Sequence, residues 1–133
     1  MFHRYATTPH LAIRPTAGRR VAELAGRSAE TLTAEQLETQ GFTILARRLR
    51  TPAGEIDLVA ATPHMLLFIE VKSRPSFREA AECLTPRQQA RLYGAATIAL
   101  GQNPGWARPD TRFDVALVAH GAVQMIEDAI RAC

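Results

Sequence analysis

Apolar and polar residues alternate along the chain with two periods, one typical of helices and one typical of strands. Over 21–40, leucines recur at helical spacing, and Gly41 follows as a helix stop. A second helix is predicted over 86–101, because Thr85 supplies a hydroxyl N-cap and a proline occupies the first helical position. The pattern therefore predicts two long helices, with most of the remaining chain divided between strands and turns.

Short apolar runs between and after these helices predict strands. Turn residues bound them, as at 51–54, at Pro63 and at the His-Gly pair 120–121. The order of elements predicts an α/β sandwich with one mixed sheet. The predicted strands cover 41–50, 55–60, 65–72, 112–119 and 122–127, with an irregular segment over 74–85 and a last short helix over 128–133.

Charged residues interrupt the two most apolar strands, in the stretch GEIDLVAATPHMLLFIEVKSR from 54 to 74. Because side chains alternate between the two faces of a strand, Glu70 and Lys72 are expected to share one face. The same rule places Ile56 and Leu58 together on the face opposite to Asp57. Two carboxylates and an amine in an apolar region are the first candidates for chemistry.

A hairpin centred on residues 63–64 places Asp57 directly opposite Glu70. Opposed residues have Cβ atoms about 4.5–5.5 Å apart, so the two carboxylates repel each other. A divalent cation such as Mg²⁺ compensates for this, and Lys72 beside it would orient an attacking water or stabilise charge on a phosphate. The alternative is a half-exposed sheet face on which Glu55 or Glu70 forms an ion pair with Lys72.

Composition and charge narrow the class of protein. The 133 residues fit one domain, and 47% of them are hydrophobic, with no apolar run long enough to span a membrane. Cys83 and Cys133 show no metal-binding spacing and fit a reducing compartment, so a cytoplasmic protein is expected. The net charge of +3 permits contact with a phosphate backbone without requiring it.

The beginning of the chain has a composition of its own. The first 22 residues contain four arginines and no acid, and prolines and a glycine interrupt them. Residues 1–20 are therefore predicted to be a disordered basic tail, ahead of a single domain over 21–133. An organelle transit peptide has a similar composition and is the alternative. A basic tail would add non-specific affinity for nucleic acid.

Asp57, followed on the next strand by Glu-Val-Lys at 70–72, resembles the PD-(D/E)XK motif of restriction-endonuclease-like nucleases. The wider segments 41–60, 66–74 and 112–118 resemble the YraN family of uncharacterised bacterial proteins. This resemblance covers about residues 24–131, and the G-E-I-D-L and E-V-K-x-R segments together make it specific. It implies a restriction-endonuclease-like fold, a three-layer sandwich with one mixed central sheet flanked by helices.

The resemblance also implies a function and a set of roles. It implies a Mg²⁺- or Mn²⁺-dependent endonuclease that hydrolyses DNA phosphodiester bonds, with branched DNA or repair intermediates as expected substrates. Asp57 and Glu70 would be metal ligands and Lys72 the catalytic lysine. Glu30 matches a helix glutamate of the family and would be an accessory ligand, as in Holliday-junction resolvases, unless it simply faces solvent. Many such nucleases are dimers, so the resemblance also suggests a homodimer.

Further residues are expected near the DNA. The family usually carries a lysine near Gln88, which this chain lacks, so Gln88 and Gln89 are the accessory candidates there. Arg74 follows Lys72 by two residues and is a candidate phosphate contact. The remaining candidates for nucleic-acid binding are Arg47, Arg48 and Arg50, whose alternative is a solvated edge.

Three residues are assigned to structure rather than chemistry. Asp114 is expected to pair with Arg112 instead of lying at the edge of the site. Trp106 is expected to anchor a loop, and Tyr93 to lie in the core. Two other functions stay open at this point: a catalytically inactive nucleic-acid-binding module, and a scaffold protein without nucleic-acid contact of its own.

Overall fold

The structure, a computed structural model, describes residues 18–80 and 85–129. Two long helices flank the chain's central strands. The elements are α1 (Gly18–Thr39), β1 (Thr43–Thr51), β2 (Gly54–Ala61), β3 (Met65–Ser73), the short α2 (Phe77–Ala80), α3 (Pro86–Gln102), a 3₁₀ turn (Pro104–Trp106), β4 (Asp110–Ala119) and β5 (Ala122–Ile126). None of the helices in these ranges is long and apolar enough to cross a membrane.

The strands form one mixed sheet in the order β1-β2-β3-β4-β5. Neighbouring strands are antiparallel except β3 and β4, which run parallel from the pair Met65↔Asp110 to the pair Ser73↔Val118. A parallel pair needs a crossover connection, and α3 supplies it. The predicted α/β sandwich with one mixed sheet is therefore confirmed.

Each face of the sheet carries its own hydrophobic core. The core under α3 contains Phe68 and Leu92, and Trp106 packs against its edge, which confirms Trp106 as a packing anchor. The core under α1 contains Leu37 and Ile69. The two long helices thus cover opposite faces, and a residue's core membership shows which face of the sheet its side chain occupies.

Local sequence signals explain where the elements begin and end. Gly41 ends α1 with a φ of 96°, a conformation that glycine adopts without steric cost. Thr85 and Gln88 form a reciprocal capping box at the start of α3, with the Gln88 Oε1 accepting from the Thr85 N–H at 2.8 Å. His120 and Gly121 both have positive φ, as a two-residue hairpin turn of type I′ requires.

Some expectations differ from the structure. The segment expected to be irregular contains the short helix α2. Tyr93, expected in the core, is 57% exposed, and its ring lies nearly perpendicular to that of Phe113 with the ring centroids 5.0 Å apart. The predicted tail up to residue 17 and the end of the last predicted helix, 130–133, lie outside the described residues.

Candidate active site

Asp57 and Glu70 lie level with each other on adjacent strands. The β2–β3 ladder runs from Ala61↔Leu66 to Leu58↔Ile69, and one further step along both strands reaches these two acids. The hairpin is therefore centred where the sequence predicted it. Beyond this last pair, Asp57 Oδ2 accepts a hydrogen bond of 2.7 Å from the backbone N–H of Val71. The Asp57 carboxylate is thus held against β3, at the position of Glu70.

The strand β2 changes sides at Asp57. Ile56 belongs to the core under α3, whereas Leu58 belongs to the core under α1, so the expectation that they share a face was wrong. The reason lies in β1, where Arg48 has a φ of 50° and the ladder between these described strands skips Arg48 and Asp57. This irregularity interrupts the alternation of side chains and turns the Asp57 side chain toward β3.

Glu70 lies on the α3 side of the sheet. Its strand neighbour Phe68 packs into the core under α3, and alternation places Glu70 and Lys72 on that same face. Burial, followed by the charge of Asp57, raises the pKa of Glu70 from its ordinary value of 4.5 to about 7, against the opposing effects of Arg91 and Lys72. At neutral pH this carboxyl therefore holds its proton about half of the time.

The pKa of Asp57 is raised as well. Burial is the largest cause, and the negative charge of Glu55 adds to it, whereas the hydrogen bond from Val71 and the positive charges of Arg48 and Arg91 oppose it. Burial and a neighbouring carboxylate each disfavour the ionised form of an acid, and both effects act at this pair. The pair thus has excess negative charge that the surrounding protein compensates only in part.

Lys72 completes the predicted triad. It is only 8% exposed, on the same face as Glu70, and its charge lowers the pKa of that acid. Lysines are seldom buried so fully unless they have a partner, and Lys72 does make contacts within the structure. The three residues predicted to carry catalysis are therefore brought together, with an amine beside the carboxylate pair.

Glu30 approaches from the other side of the sheet. It is half-buried on α1, and burial raises its pKa, with the charge of Asp57 as the next cause. Arg48 and Arg47 lower that pKa, so these basic residues of β1 lie close to Glu30. Asp57 therefore interacts electrostatically with an acid on each side of the sheet. Glu30 lies on α1, and Glu70 lies on the face covered by α3.

The three predicted metal ligands do not form one closed cluster. Among the described residues, no group of three or more His, Cys, Asp or Glu side chains is close enough together to hold a metal ion. The protein oxygens available at the centre of the site are therefore those of the pair Asp57 and Glu70. Mg²⁺ is commonly held in proteins by one or two carboxylates, with water and substrate phosphate as its other ligands, so the pair suits that ion.

The remaining candidates lie around this centre. Gln88 is engaged in the cap of α3, which explains its position without a role in chemistry. Arg74 is exposed just beyond the end of β3 and donates to the Ser73 carbonyl at 2.8 Å. Gln89 is half-buried on α3 and makes contacts there. The basic candidates of β1, which are Arg47, Arg48 and Arg50, are exposed along the edge strand of the sheet.

Asp114 has the structural role that the sequence predicted. It is 1% exposed and accepts two hydrogen bonds of 2.9 Å from Arg112, through Nε and Nη2. Its Oδ1 also accepts from the backbone N–H of Asp128 at 2.9 Å. This acid is fully engaged and ties β4 to the segment after β5.

Arg91 on α3 was not among the predicted site residues. Its charge lowers the pKa of both Asp57 and Glu70, which makes it part of the electrostatic surroundings of the site. Its side chain reaches the site across Gly54, at the start of β2. No local signal could have shown this, because the contact depends on how α3 packs over the β1–β2 turn.

The residues of this site fall within a region shared with many known proteins. Residues 29–118 match the uncharacterised protein family UPF0102. The protein belongs to this family. The match covers more than half of the chain and includes Glu30, Asp57, Glu70, Lys72 and Arg91. The resemblance to the YraN family, which is UPF0102, is thereby confirmed.

Individual UPF0102 relatives are similar over most of their length. A UPF0102 protein of Acidiphilium cryptum is 50% identical over 119 residues, which cover 90% of this chain and 93% of the relative. A UPF0102 protein of Granulibacter bethesdensis is 48% identical over 107 residues, 80% of this chain and 68% of the relative. One from Rhodopseudomonas palustris is 48% identical over 106 residues, covering 79% and 83%. These names assign the protein to a family and leave its function open.

Proposed function

We propose that this UPF0102 protein is a metal-dependent endonuclease that hydrolyses DNA phosphodiester bonds, with branched DNA or repair intermediates as its substrates. The observation that carries the proposal is the pair Asp57 and Glu70, level on adjacent strands with both pKa values raised. Lys72 stands beside the pair on the face of Glu70. Two acids and a lysine are the groups that metal-assisted phosphodiester hydrolysis uses.

A divalent cation fits this pair for electrostatic reasons. A metal ion between the carboxylates would replace their mutual repulsion with attraction to a common charge. Carboxylate oxygens are the ligands that Mg²⁺ and Mn²⁺ prefer. Asp57 and Glu70 would hold the ion, which when bound would polarise the scissile phosphate and lower the pKa of an attacking water.

The protein's own groups have distinct tasks in this proposal. The Val71 N–H fixes one oxygen of Asp57, so the Asp57 carboxylate is oriented before any ligand arrives. Lys72 donates hydrogen bonds and positive charge where negative charge accumulates on the phosphate, and its burial strengthens that effect. Glu30, on the other side of Asp57, is the candidate for holding a metal-bound water.

The surroundings of the site favour a nucleic acid as substrate. Arg47, Arg48 and Arg50 form an exposed basic edge on β1, next to the strand that carries Asp57. A row of arginines matches the spaced negative charges of a DNA backbone, and binding through it weakens as salt is added. Among the described residues, Arg50 forms one ion pair, a long one of 3.9 Å with Glu55, so its charge can reach a phosphate.

Calorimetric titration of Mg²⁺ and Mn²⁺, combined with cleavage of a branched DNA, tests the proposal. The wild type and the Asp57→Ala, Glu70→Ala double variant would be compared. A nuclease loses metal binding and cleavage together in the double variant, while DNA affinity at fixed salt remains. If the wild type binds DNA but neither binds metal nor cleaves, the proposal is wrong and the protein is a nucleic-acid-binding module.

A further inference from the structure

The side chain of Arg91 crosses the α-carbon of Gly54. A Cβ atom built on Gly54 would lie 2.8 Å from Arg91 Cγ, 2.9 Å from Cδ and 3.4 Å from Nε. A neighbouring pair on the same helix and turn, Gly94 and Ala53, is also close, since a Cβ on Gly94 would lie 3.4 Å from that of Ala53. α3 therefore packs closely on the β1–β2 turn, and the absence of a side chain at Gly54 leaves the space that the stem of Arg91 occupies.

This contact holds the Arg91 side chain beside the start of β2, the strand that carries Asp57. Gly54 begins β2, and Asp57 follows three residues later, about 10 Å away along an extended strand. The positive charge of Arg91 acts on both Asp57 and Glu70. Among the described residues, no ion pair joins Arg91 to either acid.

We propose that Arg91 is the phosphate-binding residue of this site, and that its guanidinium, held over Gly54, contacts the phosphodiester that Asp57 and Glu70 receive. The proposal rests on the function proposed above and adds to it the group that binds the scissile phosphate. A guanidinium that lies near two acids without pairing with them is available to bind a phosphate. The same phosphate could also bind a metal ion held by the two acids. Its planar fork binds two phosphate oxygens at once.

The side chain has the properties that such a contact requires. Arg91 is exposed, so a DNA strand can reach it, while its stem is fixed on one side by the backbone of Gly54. A partly fixed stem reduces the side-chain entropy lost when the phosphate binds. The exposed arginines of β1 would bind phosphates farther along the strand.

The test separates the charge of Arg91 from its packing. Arg91→Met keeps an unbranched stem over Gly54 and removes the charge, and Arg91→Lys keeps a charge without the planar fork. Arg87→Met is the matched control, because it removes an exposed arginine one turn earlier on the same helix. Affinity for a fluorescent four-way DNA junction is measured in EDTA at salt concentrations from about 50 to about 200 mM. The slope of log affinity against log salt concentration is the salt slope, which counts the phosphate contacts. Single-turnover cleavage is measured separately, with saturating enzyme and Mg²⁺.

We expect Arg91→Met to reduce the magnitude of the salt slope by about one and the single-turnover rate about a hundredfold. Arg91→Lys should keep the slope and recover part of the rate. Arg87→Met should leave the single-turnover rate at which bound DNA is cleaved unchanged. An unchanged slope in Arg91→Met, or a changed slope with the wild-type cleavage rate, overturns the proposal, because the contact is then absent or lies outside the site.

The binding measurement distinguishes this proposal from the one on which it rests. If the wild type fails to cleave but Arg91→Met still lowers the salt slope in EDTA, Arg91 binds phosphate and only the nuclease activity is refuted. If the wild type does not bind the junction even at the lowest salt concentration, about 50 mM, both proposals are refuted. Thermal denaturation of each variant shows that a lost contact does not reflect a lost fold.

Discussion

Two sets of buried acids in this molecule have opposite surroundings. Asp114 is fully buried, and Arg112 and a backbone N–H satisfy its oxygens at 2.9 Å. Asp57 and Glu70 are half-buried and lie next to each other. Among the charged neighbours of Glu70, Asp57 has the largest effect on its pKa, and this effect raises it. The first acid stabilises the fold, whereas the other two raise its free energy when both are ionised.

The difference shows how a structural acid is distinguished from a functional one. All three residues are acids within apolar strands, and the sequence assigned Asp114 to structure through its neighbour Arg112. What separates them is whether the fold supplies a compensating positive charge at hydrogen-bonding distance. Arg112 does so for Asp114, while Lys72 and Arg91 lower the pKa of Glu70 without returning it to its ordinary value. Substitution of an acid in the pair should therefore reduce cleavage, whereas substitution of Asp114 should reduce stability.

The largest expected effect is the loss of cleavage in Asp57→Asn. The variant removes a negative charge from the pair, so metal affinity falls and the single-turnover cleavage rate of a DNA junction should drop by roughly 10³-fold. The free energy of unfolding should stay equal or rise in the absence of metal, because the repulsion with Glu70 is removed. Cleavage kinetics and denaturation in EDTA measure the two effects.

Asp110→Asn is the matched control for this variant. Asp110 is an exposed acid at the start of β4, and its loss should change neither the cleavage rate nor the stability. A stable Asp57→Asn protein that cleaves at the wild-type rate would show that the carboxylate pair is not catalytic. A strongly destabilised variant would instead show that the Asp57 carboxylate stabilises the fold.

Asp114→Ala should have the opposite outcome. Removing this acid leaves Arg112 without its principal partner and the Asp128 N–H without its acceptor, so the free energy of unfolding should fall by roughly 3 kcal/mol. Cleavage per folded molecule should stay at the wild-type level. Chemical denaturation against Asp110→Ala measures the stability effect. A loss of activity without a loss of stability would contradict the assignment of Asp114 to structure.

Much of the sheet could be predicted from the sequence because the signals there are local. The alternation of apolar residues and the turn at 63–64 set the β2–β3 register, and that register brings Asp57 level with Glu70. The start of α3 was equally predictable, since Thr85 and Pro86 determine it through hydrogen bonds within one turn. The acids and the lysine of the site could therefore be named before the structure was available.

The remaining features depend on packing between distant segments. The change of sides at Asp57 follows from the positive φ of Arg48 on the neighbouring strand, which alternation along β2 cannot reveal. Arg91 reaches the site only because α3 crosses the β1–β2 turn at Gly54. Tyr93 was placed in the core because of its residue type, whereas the orientation of α3 places it outside.

Gly54→Ala examines the contact that directs Arg91. A Cβ at this position meets the stem of Arg91 at 2.8 Å, and the φ of 145° is strained for alanine, so the free energy of unfolding should fall by roughly 1–3 kcal/mol. The displaced guanidinium should also weaken junction binding. Gly105→Ala is the control, because a Cβ there meets nothing within 4 Å and should change stability by only a few tenths of a kcal/mol.

Wild-type stability in Gly54→Ala would show that the turn can move away from α3. Loss of stability with unchanged junction affinity would show that Arg91 reaches its phosphate without support from Gly54. The fold contribution and the binding contribution of this contact are therefore measured separately in one variant.

The most gradual expected effect is the pH dependence of stability that Glu70 introduces. In the folded protein without metal its carboxyl holds a proton up to a pKa of about 7, whereas the unfolded chain releases it near 4.5. Between these values the folded state binds more protons, so stability should decrease as pH rises, by at most about 1.4 kcal/mol per pH unit. Glu70→Gln should show a smaller decrease, and the part that remains comes from Asp57 and Glu30, whose pKa values are also raised.

Saturating Mg²⁺ should change this profile, because the ion binds the ionised carboxylate. Metal affinity should therefore increase as pH is raised through 7, and the stability of the metal-bound protein should no longer fall over that range. Denaturation of the wild type and of Glu70→Gln at several pH values, in EDTA and in Mg²⁺, measures both effects. Parallel curves for the two proteins in EDTA would mean that Glu70 is compensated within the fold, as Asp114 is, and that the contrast between the two sets of acids does not hold.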